Sequence, residues 1–168
     1  MSLIPLGNKP AVKVVLLIAI AVFLSGFFVK KCQGAEVKMD FVAGSAVVRG
    51  ATGAFGLNVC QERVIAGFAD WCSGFMLIGS STWNGQYNDF QAVVHSQVVA
   101  HTRGGFELGV GVAHIQHDDA YNSGTVNFSL SLAHRLFSNV YVRYQHFSNA
   151  GTHMPNQGRD LLLADWRF

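Results

Sequence analysis

The chain has 168 residues, a length that suits a single domain, and 13% of them are charged whereas 50% are hydrophobic. A formal net charge of +2, without a basic stripe beyond the N-terminal lysines, does not favour binding to nucleic acid. After residue 30 no uninterrupted apolar run approaches the roughly 20 residues of a membrane-spanning helix. Few charges, 18 glycines and 13 phenylalanines in short alternating segments are instead typical of a transmembrane β-barrel.

The N-terminus has the pattern of an export signal. Two lysines precede an apolar run from Val14 to Val29, and small residues for cleavage follow at Gly34 and Ala35. We therefore predict a signal peptide over residues 1–34 and a mature domain over residues 35–168. An uncleaved inner-membrane anchor is the alternative, because the apolar run is long and two lysines follow it directly.

The remaining sequence alternates between apolar and polar residues in short segments, which is the period of a β-strand. The segments predict eight strands, at about residues 40–50, 54–64, 71–77, 90–101, 106–112, 126–132, 140–148 and 160–168. One face of each strand is large and apolar, and the opposite face is small or polar. An eight-stranded antiparallel transmembrane β-barrel, apolar towards lipid with small polar side chains in a narrow lumen, explains both faces, whereas a soluble sandwich does not.

The connections between these strands differ in length. Polar loops are predicted at residues 83–89 and 117–124 and should face outside, whereas tight turns should face the periplasm. The last strand ends with Trp166 and Phe168, as expected of an outer-membrane barrel. Other side chains are assigned by position: Trp71, Trp83, Tyr144 and Trp166 to the aromatic girdle, and Glu107, Arg143, Asp165 and Arg167 to salt bridges in the lumen.

Two cysteines, Cys60 and Cys72, lie in the predicted mature domain. Both have the inward parity of adjacent predicted strands, and an exported protein reaches an oxidising compartment. We therefore predict a disulfide between them, with two buried free thiols as the alternative.

A chemically unusual group lies on the last two strands. His146 and Ser148 continue the apolar face of the seventh strand, and Asp160 lies on the same face of the eighth. A serine hydroxyl needs a base within hydrogen-bond reach to act as a nucleophile, and a carboxylate can orient that base. The pattern favours a serine hydrolase, and the alternative is a set of polar residues at the membrane interface.

Two short runs near the C-terminus carry a specific resemblance, HFSNAG at residues 146–151 and PNQG at residues 155–158. They resemble the signature of the outer-membrane lipid A 3-O-deacylases (PagL family). The match is specific over residues 143–160; upstream, only strand number, spacing and chain length are compatible. The resemblance implies an eight-stranded barrel with its active site on the outer wall, facing lipid. It also implies hydrolysis of the ester that holds a 3-hydroxyacyl chain at position 3 of lipid A.

Carried onto this sequence, the resemblance makes Ser148 the nucleophile and His146 the general base. Asp160 takes the place of the family's glutamate. Because aspartate is one methylene shorter, we expect it to reach His146 through a small shift of the last strand or through a water molecule. Donors for the oxyanion are expected from the side chain of Asn149 and the backbone N–H groups of Ala150 and Gly151, with Asn156 bracing the loop.

The implied partners are lipid A as the substrate and the lipids of the cell outer membrane, in which the barrel would be a multi-pass protein; no cofactor is expected. A homodimer that masks the lipid-facing site is left open. No metal site is predicted, because the loop spacing of His114, His117, Asp118 and Asp119 does not make them converge. The rival function is that of a small non-catalytic barrel with a structural or adhesive role.

Overall fold

The computed structural model describes residues 36–47, 50–66, 68–118, 124–152 and 157–168. The predicted signal peptide over residues 1–34 lies outside these ranges, as do Asp119 and Asn156. The described strands are β1 (Val37–Ala46), β2 (Thr52–Ile65), β3 (Ala69–Ile78), β4 (Ser81–Trp83), β5 (Gln86–Asn88), β6 (Gln91–His101), β7 (Phe106–Ile115), β8 (Val126–Arg135), β9 (Val140–Ser148) and β10 (Arg159–Arg167).

Eight of these strands close into an antiparallel barrel in the order β1-β10-β9-β8-β7-β6-β3-β2. Closure comes from the pairing of the first strand with the last, in which Phe41 lies opposite Trp166. The prediction of an all-β, eight-stranded antiparallel barrel is therefore confirmed.

The remaining two strands, β4 and β5, pair with each other in a small hairpin. They occupy most of the stretch predicted as a polar loop at residues 83–89, so that part of the prediction was wrong. Asn84 and Gly85 form the turn, with φ angles of 49° and 74°. Asn-Gly is the preferred pair for a two-residue hairpin turn, because both positions need positive φ.

The outer wall of the barrel is strongly apolar. Its exposed side chains include Phe41, Phe55, Leu57, Leu108, Val110, Val112, Phe128, Leu130, Leu132, Leu162 and Trp166. A soluble monomer rarely exposes so large a continuous apolar surface, whereas a lipid-embedded barrel requires one. A helix of the length and apolarity needed to cross a membrane does not occur among the described residues.

The two ends of the barrel differ. The strand ends joined by the short connections at residues 66–68, 102–105 and 136–139 lie at one end of the barrel. Those joined by residues 47–51, 79–90, 116–125 and 149–158 lie at the other end. We call these the short-turn end and the long-loop end. The difference follows the predicted division between tight turns and longer loops.

The lumen is filled in layers along its axis. Near the short-turn end, Arg143 pairs with Asp165 at 2.6 Å, and Arg167 pairs with Glu107 at 2.6 Å, which confirms the predicted lumenal salt bridges. Amide and hydroxyl groups occupy the middle, where the Gln97 side chain donates to Ser129 Oγ at 2.6 Å.

Towards the long-loop end the lumen holds an apolar cluster beside the buried polar side chains of Gln91, Asn127 and Arg159, which corrects the expectation of small polar side chains throughout. The buried cluster there comprises Val42, Ala46, Ala54, Met76, Ile78, Val93, Ala113, Ile115, Phe147, Leu161 and Leu163. An eight-stranded barrel is too narrow for a water-filled channel, so apolar side chains can pack against one another inside it.

Cys60 and Cys72 are joined by a disulfide inside the barrel. They lie directly opposite each other on β2 and β3, with 4.0 Å between their Cα atoms. Both cysteines are buried. The bond therefore links two strands that are already hydrogen-bonded neighbours.

Candidate active site

The end of β9 places His146 and Ser148 on the outer wall, next to the long-loop end. Along this strand Arg143, Gln145 and Phe147 are buried in the lumen, whereas the residues between them face outwards. Phe147 is fully buried, with its ring centroid 6.0 Å from that of His95. A slip of one residue would turn Phe147 out of the lumen and His146 into it, so packing fixes the register.

β10 brings Asp160 directly opposite His146. Asp160 Oδ1 lies 2.8 Å from His146 Nδ1, and the two side chains are 14% and 26% exposed. The contact is direct, so a bridging water molecule is not needed. Directly opposed residues on neighbouring strands have Cβ atoms only about 4.5–5.5 Å apart, a gap that the shorter aspartate can span.

This contact also sets the tautomer of the imidazole. An ionised carboxylate only accepts hydrogen bonds, so His146 Nδ1 must be the donor. In the neutral ring the other nitrogen, Nε2, is then an acceptor. His146 is therefore arranged to take a proton at Nε2.

Gly158 also lies against the His146 ring, near Cε1 and Nε2. A Cβ atom at this position would be 2.5 Å from His146 Cε1 and 3.1 Å from Nε2. The φ angle of Gly158 is +68°, which disfavours other residues as well. The sequence motif contains this glycine, but its contact with the imidazole was not anticipated.

Ser148 is followed at once by a tight turn over residues 149–152. The backbone N–H of Thr152 donates to the carbonyl oxygen of Asn149 at 3.1 Å. The two central residues, Ala150 and Gly151, have φ angles of 53° and 80°. The N–H of Ala150 donates to Ser148 Oγ at 3.1 Å, so the turn brings a backbone donor next to the serine hydroxyl.

The other predicted oxyanion donors are arranged differently. Asn149 is 1% exposed, and its Oδ1 accepts a hydrogen bond from the Gly151 N–H at 2.9 Å. This side chain and the Gly151 N–H thus bind each other and stabilise the turn. Of the expected donors in the described residues, the Ala150 N–H is the one bonded to Ser148 Oγ.

Tyr144 joins the group from the same outward face of β9. Its hydroxyl donates a hydrogen bond to Asp160 Oδ1, the oxygen that also contacts His146 Nδ1. From the sequence, Tyr144 was predicted only as a residue of the aromatic girdle. Its link to Asp160 depends on strand register, which the alternation pattern does not reveal.

Metal binding has no support in the described part of the chain, where no three histidine, cysteine, aspartate or glutamate residues are placed to hold an ion. His114, His117 and Asp118 belong to this part, whereas Asp119 lies outside it.

Comparison with known proteins adds information about the fold. No protein-family model and no curated protein sequence matches the chain. Among solved structures it is similar to the crystal structure of the outer membrane enzyme PagL, with a TM-score of 0.55 and 18% identity, covering 78% of this chain and 98% of that one. The likeness shows the fold. It is also similar to the backbone structure of the Yersinia pestis outer membrane protein Ail in a phospholipid bilayer nanodisc, with a TM-score of 0.48 and 13% identity over 79% of this chain and 100% of that one.

Proposed function

We propose that this protein is an outer-membrane serine esterase that removes the ester-linked 3-hydroxyacyl chain from position 3 of lipid A. The observation that carries the proposal is the 2.8 Å contact between His146 Nδ1 and Asp160 Oδ1, on the outward face that also carries Ser148. The runs at residues 146–151 and 155–158, which resemble the lipid A 3-O-deacylases, give the substrate class.

The position of these residues suits an ester that lies at the surface of a bilayer. Ser148 is the last residue of β9 and Asp160 the second residue of β10, so both lie near the edge of the apolar wall. A charged side chain on the lipid face costs about 2–4 kcal/mol at the bilayer midplane but about 0–1 kcal/mol near the interface. With the long loops facing outside, the site lies among lipid headgroups, where the acyl esters of lipid A are found.

In the first half of the reaction, His146 Nε2 removes the proton of Ser148 as Oγ bonds to the ester carbonyl carbon. Asp160 holds the tautomer and stabilises the imidazolium that forms. The carbonyl oxygen becomes an oxyanion, and the Ala150 N–H is the nearest backbone donor for it. The bond between the acyl carbonyl carbon and the 3-oxygen of the sugar then breaks, and His146 returns the proton to that departing oxygen.

In the second half, His146 removes a proton from water, and the water oxygen attacks the acyl-enzyme carbonyl. Collapse of this second intermediate releases the 3-hydroxy fatty acid and restores the Ser148 hydroxyl. The acyl chain can remain in the bilayer throughout, since the outer wall beside the site is apolar.

Mass spectrometry of lipid A from a Gram-negative host that expresses the chain tests this function. We expect the wild type to remove one ester-linked 3-hydroxyacyl chain and the Ser148→Ala variant to leave lipid A intact. Ser73→Ala is the matched control, because it removes an outer-wall hydroxyl from β3, on the side of the barrel opposite β9. Lipid A from cells that express Ser73→Ala should lose the same acyl chain as lipid A from cells that express the wild type.

A heat-dependent shift in gel mobility shows whether each variant is folded in the outer membrane. Intact lipid A beside folded wild-type barrel would contradict the deacylase function. The small non-catalytic barrel would then be the better interpretation.

A further inference from the structure

One oxygen of Asp160 accepts two hydrogen bonds, one from the hydroxyl of Tyr144 and one from His146 Nδ1. We propose that Tyr144 is a positioning residue that holds Asp160 in the orientation His146 needs. The proposal rests on the proposed esterase function, and it adds to the site a residue to which the resemblance gave no role.

The register of β9 and β10 makes this contact possible. Asp160 lies opposite His146, and Leu162 lies opposite Tyr144. Tyr144 is therefore the diagonal neighbour of Asp160 on the same outward face. Diagonal cross-strand neighbours are about 7–8 Å apart, within reach of an aromatic side chain such as tyrosine.

The location of Asp160 explains why a second donor matters. A carboxylate on a lipid-facing wall has little water to satisfy its oxygens, and an unsatisfied charged group in such a place is costly. The Tyr144 hydroxyl supplies a protein donor in place of water. The hydrogen bond from Tyr144 also restrains rotation of the carboxylate about its side-chain bonds, which keeps it in line with the imidazole.

Tyr144 acts on the reaction only indirectly, since its hydroxyl binds Asp160 and the proposed nucleophile is Ser148. Loss of the hydroxyl should therefore weaken stabilisation of the imidazolium in the transition state and leave substrate binding unchanged. A change of this kind lowers kcat and leaves KM nearly constant.

The test is the Tyr144→Phe variant, which keeps the ring on the outer wall and removes only the hydroxyl. We expect kcat for hydrolysis of a detergent-solubilised ester to fall about tenfold, as for loss of a hydrogen bond to a charged group, with KM changed less than about twofold. The rate at which a fluorophosphonate labels Ser148 should fall by a similar factor. Tyr87→Phe is the matched control, because Tyr87 is exposed on the β4–β5 hairpin, and its kinetics should equal those of the wild type.

A double-mutant cycle with Asp160→Asn tests whether Tyr144 acts through Asp160. Labelling is followed over hours, so that slow variants can be measured. If Tyr144 only positions Asp160, adding Tyr144→Phe to Asp160→Asn should change the labelling rate less than about twofold. Additive losses in the double variant would overturn the inference.

The same measurements separate this inference from the proposed function. If the wild type labels and cleaves lipid A but Tyr144→Phe is equally fast, the role of Tyr144 is rejected and the esterase stands. If the folded wild type neither labels nor cleaves, the esterase is rejected and the role of Tyr144 with it.

Discussion

At the scale of a single residue, the backbone conformation and the neighbouring His146 ring both restrict which side chain can replace Gly158. Its φ angle of +68° costs other residues free energy, and the space beside its Cα is filled by the ring of His146. An alanine would therefore be strained and would also push the imidazole away from its position against Asp160. Proton transfer depends on that position, because a misplacement of about 1 Å can cost about 100-fold in rate.

We accordingly predict that Gly158→Ala lowers lipid A deacylation at least about tenfold while the barrel still folds, since positive φ alone costs about 1 kcal/mol. Activity in membranes and heat-dependent gel mobility measure the two effects. Gly85→Ala is the matched control, with a φ of +74° but nothing within 4 Å of the added Cβ. Equal activity of Gly158→Ala and the wild type would contradict a tight fit around His146.

For single residues, the sequence predicts which side chains share a face better than it predicts the contacts between them. His146, Ser148 and Asp160 were found on one face because alternation fixes parity. The direct reach of Asp160, and its second contact with Tyr144, depend on which residues lie opposite each other. That register follows from turn geometry and packing across two strands, which a single strand's pattern does not contain.

Among the strands, β9 is joined to the adjacent β10 and to the next strand, β1, by Arg143 inside the lumen. Its Nη2 lies 2.6 Å from Asp165 on β10 and 3.8 Å from Asp40 on β1. All three side chains are nearly inaccessible, so removing the cation leaves the buried carboxylate of Asp165 without this partner, whereas Asp40 keeps Arg167 Nε at 3.3 Å. Breaking a buried ion pair on one side typically costs about 3–5 kcal/mol, and replacing both partners by apolar residues costs much less.

We predict that Arg143→Met lowers the free energy of unfolding by about 3–5 kcal/mol, and that Arg143→Met combined with Asp165→Leu regains most of it. Unfolding by urea in lipid vesicles, followed by tryptophan fluorescence, gives these values. Lys38→Met breaks the pair of Lys38 with Glu62, whose side chains are 38% and 23% exposed, and should cost about 0–1 kcal/mol. Equal losses for Arg143→Met and Lys38→Met would show that burial does not control the effect.

Alternation predicted the outward face of every barrel strand but not the full content of the lumen. Where an inward residue is also apolar, the sequence becomes a continuous run, as in Met76-Leu77-Ile78 and Leu161-Leu162-Leu163. Such runs have no period, so their inward members were not assigned to a core. The β4–β5 hairpin was missed for another reason, because Asn84-Gly85 was interpreted as loop composition although the pair is a hairpin signal.

For the whole molecule, the fold was predictable because lipid outside and a narrow lumen inside impose opposite demands on alternate residues. The layered lumen leads to a prediction about transport. Ion pairs near the short-turn end and the apolar cluster near the long-loop end fill the narrow lumen of the described barrel. An ion that entered the apolar cluster would lose its hydration without compensation.

We therefore expect no stepwise ion currents when the purified, folded protein is inserted into planar lipid bilayers. Protein-free bilayers are the control, and heat-dependent gel mobility shows that the inserted protein is folded. Reproducible current steps from the wild type would contradict a closed lumen.

The pairing of β10 with both β9 and β1 has a consequence for biogenesis. Because β10 also carries Asp160, His146 gains its carboxylate only when β10 pairs with β9. A chain that is unfolded in transit to the membrane therefore lacks the assembled pair, and the proposed esterase would be silent until these two strands have paired. Assembly itself would then protect the lipids and esters that the protein passes on its way through the cell envelope.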